Sequence, residues 1–128
     1  MKLNHDCVRS LLLYLEDDLT INSLIDLSDV ELNGFSDDEI LYVGIKLAEA
    51  SFITASIREH RMGDSPSVLV SQITWAGHKF LDTIRDDTVW GHTKGLLSKF
   101  TSTSITFVSN IASQVLTNLV TEYLQGKI

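Results

Sequence analysis

Residues 34–57 read GFSDDEILYVGIKLAEASFITASI and carry the clearest local signals in the chain. Ser36, followed three residues later by Glu39, matches a capping box, in which both side chains satisfy free N–H groups at a helix start. Apolar residues then recur at helical spacing: Ile40, Val43, Gly44, Leu47 and Ala48. Beyond them the period changes to two, in Ile53, Ala55 and Ile57. The stretch therefore predicts a capped helix to about Ala50, followed directly by a half-buried strand.

The other elements are predicted around this stretch. Upstream we expect a helix over 5–18 capped by Asn4, a short strand at 24–26 and a short helix at 29–32. Downstream we expect a hairpin tip at 60–66, a strand at 67–73, and helices over 75–85, 88–99 and 104–125. The order is typical of a winged helix-turn-helix domain. We predict an α+β, mostly α, fold with a winged helix-turn-helix domain over 1–86 and a C-terminal helical extension over 87–128.

The composition bounds the class of protein. The chain has 128 residues, of which 44% are hydrophobic, so it can bury a core. A lone Cys excludes a disulfide framework and a multi-Cys zinc site. The N-terminus has no apolar signal core, and about half of the uncharged stretch 100–121 is polar, which argues against a membrane span. We therefore expect a soluble protein of the cytoplasm.

The charge is unevenly distributed. The whole chain carries −7, while residues 1–50 hold three basic and eleven acidic residues, a formal charge of −8. Nucleic-acid binding depends on Lys and Arg that neutralise phosphates. The first 50 residues therefore disfavour a nucleic-acid partner.

Three segments resemble one family of small proteins. They are MKLNHD at residues 1–6, GFSDDEI at 34–40 and, most specifically, ITWAGHKFLDTIRDDTVW at 73–90. Together they resemble the family catalogued as domain-of-unknown-function 2513, over about residues 1–95. The resemblance implies a winged-helix-like fold and an origin in phages or prophages of Gram-positive bacteria. It implies no reaction, since the family has no established activity.

The helix that begins after Ser36 occupies the recognition position of the predicted fold. The first residues of such a helix meet base edges in the major groove. Here they are carboxylates, and Lys46 is the only basic residue of the helix. We rank three interpretations of this helix surface. A solvated acidic surface comes first, a protein contact anchored by apolar side chains second, and direct DNA reading third. The candidate partner contacts are Asp37, Asp38, Tyr42, Ile45 and Glu49.

The hairpin tip carries the residues that favour DNA binding. Arg58, His60 and Arg61 cluster there, and Glu59 and Asp64 partly offset their charge. Tight binders use about 6–10 phosphate contacts, so a solvated tip is favoured over a DNA contact. A DNA-binding transcriptional regulator with a dimeric wing is the alternative function.

The final helix has a broad apolar stripe and an uncharged polar face. Surface helices normally carry charged residues opposite the core. Self-association into a homodimer is therefore predicted, with packing on the chain's own domain at nearly equal weight and membrane-surface attachment third. The candidate contacts are Val108, Ile111, Val115, Leu119 and Tyr123.

No arrangement of catalytic residues is supported by the spacing. His78 and Asp82 lie four residues apart on one helical face, but no nucleophile or metal-ligand spacing accompanies them. Trp75 is expected in the core or at a domain seam, and Cys7 as a buried thiol. We predict no enzyme, no cofactor and no metal. The predicted function is that of a small acidic phage accessory protein, acting by protein–protein contact on a nucleic-acid-binding or defence protein of its bacterial host.

Overall fold

The computed structural model describes residues 1–101 and 104–126. In chain order the elements are α1 (His5–Asp18), β1 (Ile25–Asp26), a single 3-10 turn (Leu27–Asp29), α2 (Asp37–Glu49), β2 (Ile53–Arg58), β3 (Ser67–Ile73), α3 (Trp75–Ile84), α4 (Asp87–Leu97) and α5 (Ile105–Leu124). The expected α+β, mostly helical class is confirmed. Residues 102, 103, 127 and 128 of the predicted extension lie outside the described residues.

The predicted short helix at 29–32 is wrong in its position. The structure has one 3-10 turn at Leu27–Asp29. The Asp26 carboxylate accepts hydrogen bonds from the Ser28 backbone N–H at 2.9 Å and from the Ser28 hydroxyl at 2.8 Å. Asp26 is therefore the cap, which places the turn closer to the N-terminus than the predicted helix.

The three strands form an antiparallel sheet in the order β1-β3-β2. Thr54 pairs with Gln72 and Ala55 with Val70, so Ser71 is an extra residue in β3. Such a bulge changes which side chains face the core. Burial alternates through Val68 and Val70, and after the bulge it continues at Ile73. The bulge thereby places Ile73 in the core.

The chain divides into two compact units, Met1–Lys79 and Phe80–Ile128. In the first unit α1 packs on α2, and both helices contact β3. Its core consists of side chains that are almost completely buried, among them Val8, Leu11, Leu12, Leu15, Leu27, Val30, Ile40, Val43, Leu47, Val68 and Val70. The apolar face predicted for α2 is therefore the one that is buried.

A close backbone contact fixes the start of α3 in the first unit. The Thr74 hydroxyl donates to the Ser51 carbonyl at 2.6 Å and accepts from the Gly77 N–H at 3.1 Å, so it caps α3. The Thr74 N–H donates to the Phe52 carbonyl at 2.9 Å. A Cβ at position 77 would overlap that carbonyl oxygen. Glycine at this position is what allows the helix to come so close.

The second unit contains a helix pair. Asp86 caps α4 and Ser104 caps α5, each by accepting a backbone N–H. The two helices pack together, and the buried Thr93 satisfies its hydroxyl on the Val89 carbonyl at 2.7 Å. Phe100 and Phe107 meet edge to face with ring centroids 5.3 Å apart.

Gly77→Ala tests the close contact at the start of α3. We expect a loss of stability of about 1–3 kcal/mol, because the new methyl group meets a backbone atom that cannot turn aside. The measurement is urea denaturation followed by circular dichroism. Gly91→Ala is the matched control, since a Cβ there meets open space inside a helix and should stabilise by about 0.5–1 kcal/mol. Equal effects of the two substitutions would contradict the role assigned to Gly77.

Candidate functional site

The start of α2 is built around one carboxylate. The Ser36 hydroxyl accepts from the Glu39 N–H at 3.1 Å, and the Glu39 carboxylate accepts from the Ser36 N–H at 3.3 Å. The predicted capping box is thus confirmed. The same carboxylate accepts from the Asn4 side-chain amide at 3.0 Å. This bond and those to Ser36 favour the ionised form and hold the pKa of Glu39 below its ordinary value.

The other candidate contacts on α2 form one surface, which we call the acidic face: Asp37, Asp38, Tyr42, Ile45 and Glu49. Its three carboxylate residues are exposed, and its two apolar residues are half-buried. Asp37 and Asp38 lie in the first turn, where negative charge interacts favourably with the helix dipole. The helix therefore tolerates these charges without needing a cation beside them.

Lys46, the only basic residue of α2, already forms an ion pair. Its ammonium group lies 2.9 Å from the Glu49 carboxylate and 5.3 Å from the centroid of the Tyr42 ring. The hydrogen bond and the charge of Glu49 raise the pKa of Lys46. The acidic face therefore offers carboxylates and an aromatic ring, with its cation held by an acid.

The hairpin tip places its three candidates in solvent. Arg58, His60 and Arg61 are all exposed. The His60 ring bonds the Ser67 hydroxyl at 2.6 Å, and the Asp64 N–H bonds the Arg61 carbonyl at 2.9 Å. The tip is therefore an ordered turn that carries two arginines together with acidic neighbours.

The candidate residues for self-association differ in how deeply they are buried. Val108 is 0% and Val115 is 8% exposed, so neither can contact a second copy. Ile111 and Leu119 are half-buried, and Tyr123 is 71% exposed. The apolar side chains that α5 leaves exposed are Leu116, Val120, Tyr123 and Leu124. Self-association stays a prediction, and these four are the residues available for it.

The side chains considered for catalysis do not form a catalytic arrangement in the described residues. His78 Nδ1 lies 3.9 Å from a Glu16 carboxylate oxygen. Asp82 accepts a hydrogen bond from Arg85 at 2.8 Å. The structure therefore does not show the pair of His78 and Asp82 that their spacing allows. Cys7 is buried, which raises the pKa of its thiol to about 11 and keeps it neutral. In residues 1–101 and 104–126 no group of three or more His, Cys, Asp or Glu side chains is placed to hold a metal ion.

Trp75 does not lie in the core. Its side chain is 87% exposed, whereas Phe80, Leu81 and Ile84 are buried. The prediction for Trp75 is therefore wrong. Gly77 and Phe80 are the residues of this part of α3 that face inward, and Trp75 lies on another side of the helix.

A cleft of about 690 Å³ was missed by sequence reasoning. It is lined by Leu15, Glu16, Leu19, Thr20, Ile21, Asn22, Ser23, Leu24, Ser71, Gln72, Ile73 and His78. Half of these residues belong to the loop after α1, which has neither helical nor strand periodicity. The three apolar residues of that loop, Leu19, Ile21 and Leu24, were the available signal.

Among the described residues, no helix is long and apolar enough to cross a membrane.

Comparison with known proteins gives two matches. The family model described as Hypothetical protein (DUF2513) matches residues 2–104. A protein of Haemophilus influenzae described as "Uncharacterized protein" is 30% identical over 121 residues, which is 94% of this chain and 99% of that protein. No solved structure matches the chain. The matches confirm the resemblance seen in the sequence and carry no activity with them.

Asn4→Ser tests the bond between Asn4 and Glu39. Serine keeps an oxygen to cap α1 but loses the amide donor, so the pKa of Glu39 should rise toward 4.5. Because its native pKa is lowered, ionised Glu39 stabilises the fold above pH 4.5, and this contribution is lost as the pH falls through the native pKa. The stability difference between wild type and variant should therefore shrink in acid.

The measurements are a carboxyl NMR titration of Glu39 and urea denaturation at several pH values. Asn118→Ser, at an exposed position of α5, is the matched control and should leave the pKa of Glu39 unchanged. An unaltered titration of Glu39 in the Asn4→Ser protein would show that the bond does not form in solution.

Proposed function

The chain belongs to the family described as Hypothetical protein (DUF2513), and we propose that it is a binding protein whose acidic face contacts another protein. The single observation that carries the proposal is the pairing of the Lys46 ammonium group with a carboxylate. The helix in the recognition position presents carboxylates, and its one cation is paired with Glu49. Such a surface repels phosphates and attracts basic groups.

We infer a winged helix-turn-helix scaffold for this surface. The order of α1, β1, the 3-10 turn, α2, β2 and β3 supports it, as does the pairing of β1 with β3. The helix before α2 is reduced to one turn. The inferred scaffold makes α2 the element that a DNA-binding relative would place in the major groove.

The proposed partner is a basic protein of the bacterial host. Tyr42 and Ile45 supply apolar anchors, and exposed carboxylates surround them, which is the arrangement of a small interface with a polar rim. Asp37 and Asp38 would take the place of phosphates in a nucleic-acid-binding groove. The protein would then act in the cytoplasm as a phage or prophage accessory protein that blocks a host nucleic-acid-binding or defence protein.

Two variants test this proposal by affinity purification from host lysate, followed by titration of the purified partner. Tyr42→Ala with Ile45→Asp should weaken binding by about tenfold or more, because it removes the anchors. Asp37→Asn with Asp38→Asn should weaken binding mainly at low salt, because exposed charges act at long range there. Circular dichroism shows that each variant is folded.

Asp64→Asn on the hairpin tip is the matched charge control and should bind like wild type. A partner that binds both double variants as tightly as the wild-type protein would exclude the acidic face as its contact.

The second candidate function is DNA binding by a dimeric regulator. One observation favours it, since Arg58 and Arg61 are exposed at the end of the β2–β3 hairpin. Glu59 and Asp64 lie within three residues of Arg61 and reduce the local charge. With two arginines per chain, even a dimer would offer fewer cations than the ~6–10 phosphate contacts of a tight binder.

Fluorescence anisotropy with labelled duplex DNA distinguishes the two functions. The proposal of protein contact predicts no saturable DNA binding even at ~50 mM salt, where the electrostatic contribution is largest. Saturable binding that Arg58→Ala and Arg61→Ala abolish would favour the regulator instead. Lys94→Ala serves as a control for nonspecific loss of positive charge.

A further inference from the structure

The cleft beside α1 has the features of a second binding site. Its volume of about 690 Å³ lies within the range of sites that hold small ligands or short peptide segments. All of its lining residues belong to the first compact unit. We propose that it binds an extended, basic segment of another protein, independently of the acidic face.

The charge of the cleft selects the kind of segment. No Lys or Arg lines it. Glu16 lies in its wall, and Asp17 and Asp18 follow at the exposed end of α1. The last turn of α1 has no basic residue, so the carboxylates add to the negative end of the helix dipole. A hydrogen bond to Asp18 raises the pKa of Tyr14. The region therefore attracts Lys or Arg side chains.

The sheet edge selects an extended backbone. On this side of β3 the neighbouring strand is β1, which pairs only with Leu69 and Val70. Residues 71–73 continue β3 past the end of β1, and they line the cleft. A strand added at such an edge gains affinity from main-chain hydrogen bonds and specificity from alternate side chains. A peptide in the cleft would continue the sheet where β1 stops.

Apolar side chains around the cleft supply contacts for the residues between the cations. Ile21 is 92% and Leu24 is 63% exposed. Ile21 stands on a tight turn, because the Ser23 N–H donates to the Thr20 carbonyl at 3.2 Å and the Thr20 N–H donates to the Ser23 hydroxyl at 2.9 Å. The turn therefore holds Ile21 in solvent before any partner arrives, which lowers the entropy cost of binding.

Trp75 extends the same surface along α3. It precedes His78 by three residues, and residues at this spacing share a helical face. His78 lines the cleft, so by this spacing the exposed Trp75 shares a helical face with a residue of the cleft wall. An aromatic face beside carboxylates is a favourable position for a guanidinium or ammonium group.

Selection from a random twelve-residue peptide library against the full-length protein tests the proposal, followed by anisotropy with the labelled peptides. The enriched peptides should alternate Lys or Arg with apolar residues. Ile21→Ser, and separately Asp17→Asn with Asp18→Asn, should each weaken their binding by about tenfold or more. Amide hydrogen exchange at residues 71–73 should slow when a peptide is bound, as expected for an added strand.

Two controls match these variants elsewhere on the first unit. Met62→Ser removes an equally exposed apolar side chain, and Asp64→Asn removes an exposed carboxylate, both on the hairpin tip. Neither should alter peptide binding. Absence of enrichment, enrichment without basic residues, or equal binding to the Ile21→Ser protein would overturn the proposal.

Tyr42→Ala with Ile45→Asp separates this site from the acidic face, and peptide binding should survive it. Peptides that lose binding to this variant and retain it with Ile21→Ser would place the basic segment on α2. That outcome would overturn the cleft proposal while supporting the proposed function.

Discussion

The carboxylate of Glu39 joins two helix starts that are 35 residues apart in the sequence. It completes the cap of α2 by accepting from Ser36, and it accepts from Asn4, whose oxygen caps α1. A single anion thereby satisfies donors on both helices and keeps their N-termini together. The pairing of α1 with α2 forms much of the buried core of the first unit. Because Glu39 is committed to this role, the binding that we propose for the acidic face rests on the other carboxylates of α2.

The acidic residues of α2 affect both the stability of the helix and the charge of its surface. At the start of α2, negative charge is favourable to the helix, so the presence of Asp37 and Asp38 alone does not indicate a partner. The case for a partner on that face depends on what accompanies the charges. Tyr42 and Ile45 remain half-buried among them, and Lys46 is turned onto Glu49 and the aromatic ring. A surface that only needed solubility would require neither the apolar anchors nor the paired cation.

Local signals predicted most of the fold, and long-range contacts account for what they missed. The capping box at Ser36 and the change of period after α2 are properties of short segments, and each is confirmed. The exposure of Trp75 was not predictable from its aromatic character, because it follows from the contact of Gly77 with the distant Phe52 carbonyl. The cleft was equally inaccessible, since its walls come from α1, the following loop, β3 and α3. Within the candidate contacts of the final helix, periodicity identified the apolar stripe but could not say which part α4 covers.

The charge at the end of α1 differs physically from the charge at the start of α2. Glu16, Asp17 and Asp18 lie at the negative end of a helix dipole, with no basic residue in the last turn to compensate. In their interaction with the dipole these carboxylates are unfavourable for the helix, whereas those in the first turn of α2 are favourable. Departures from local consistency of this kind concentrate at functional sites, where they are offset elsewhere in the structure. The acidic residues at these two helix ends therefore differ in their effect on folding. The charge at the start of α2 assists folding and the charge at the end of α1 opposes it, so the helix dipole does not explain the acidity beside the cleft.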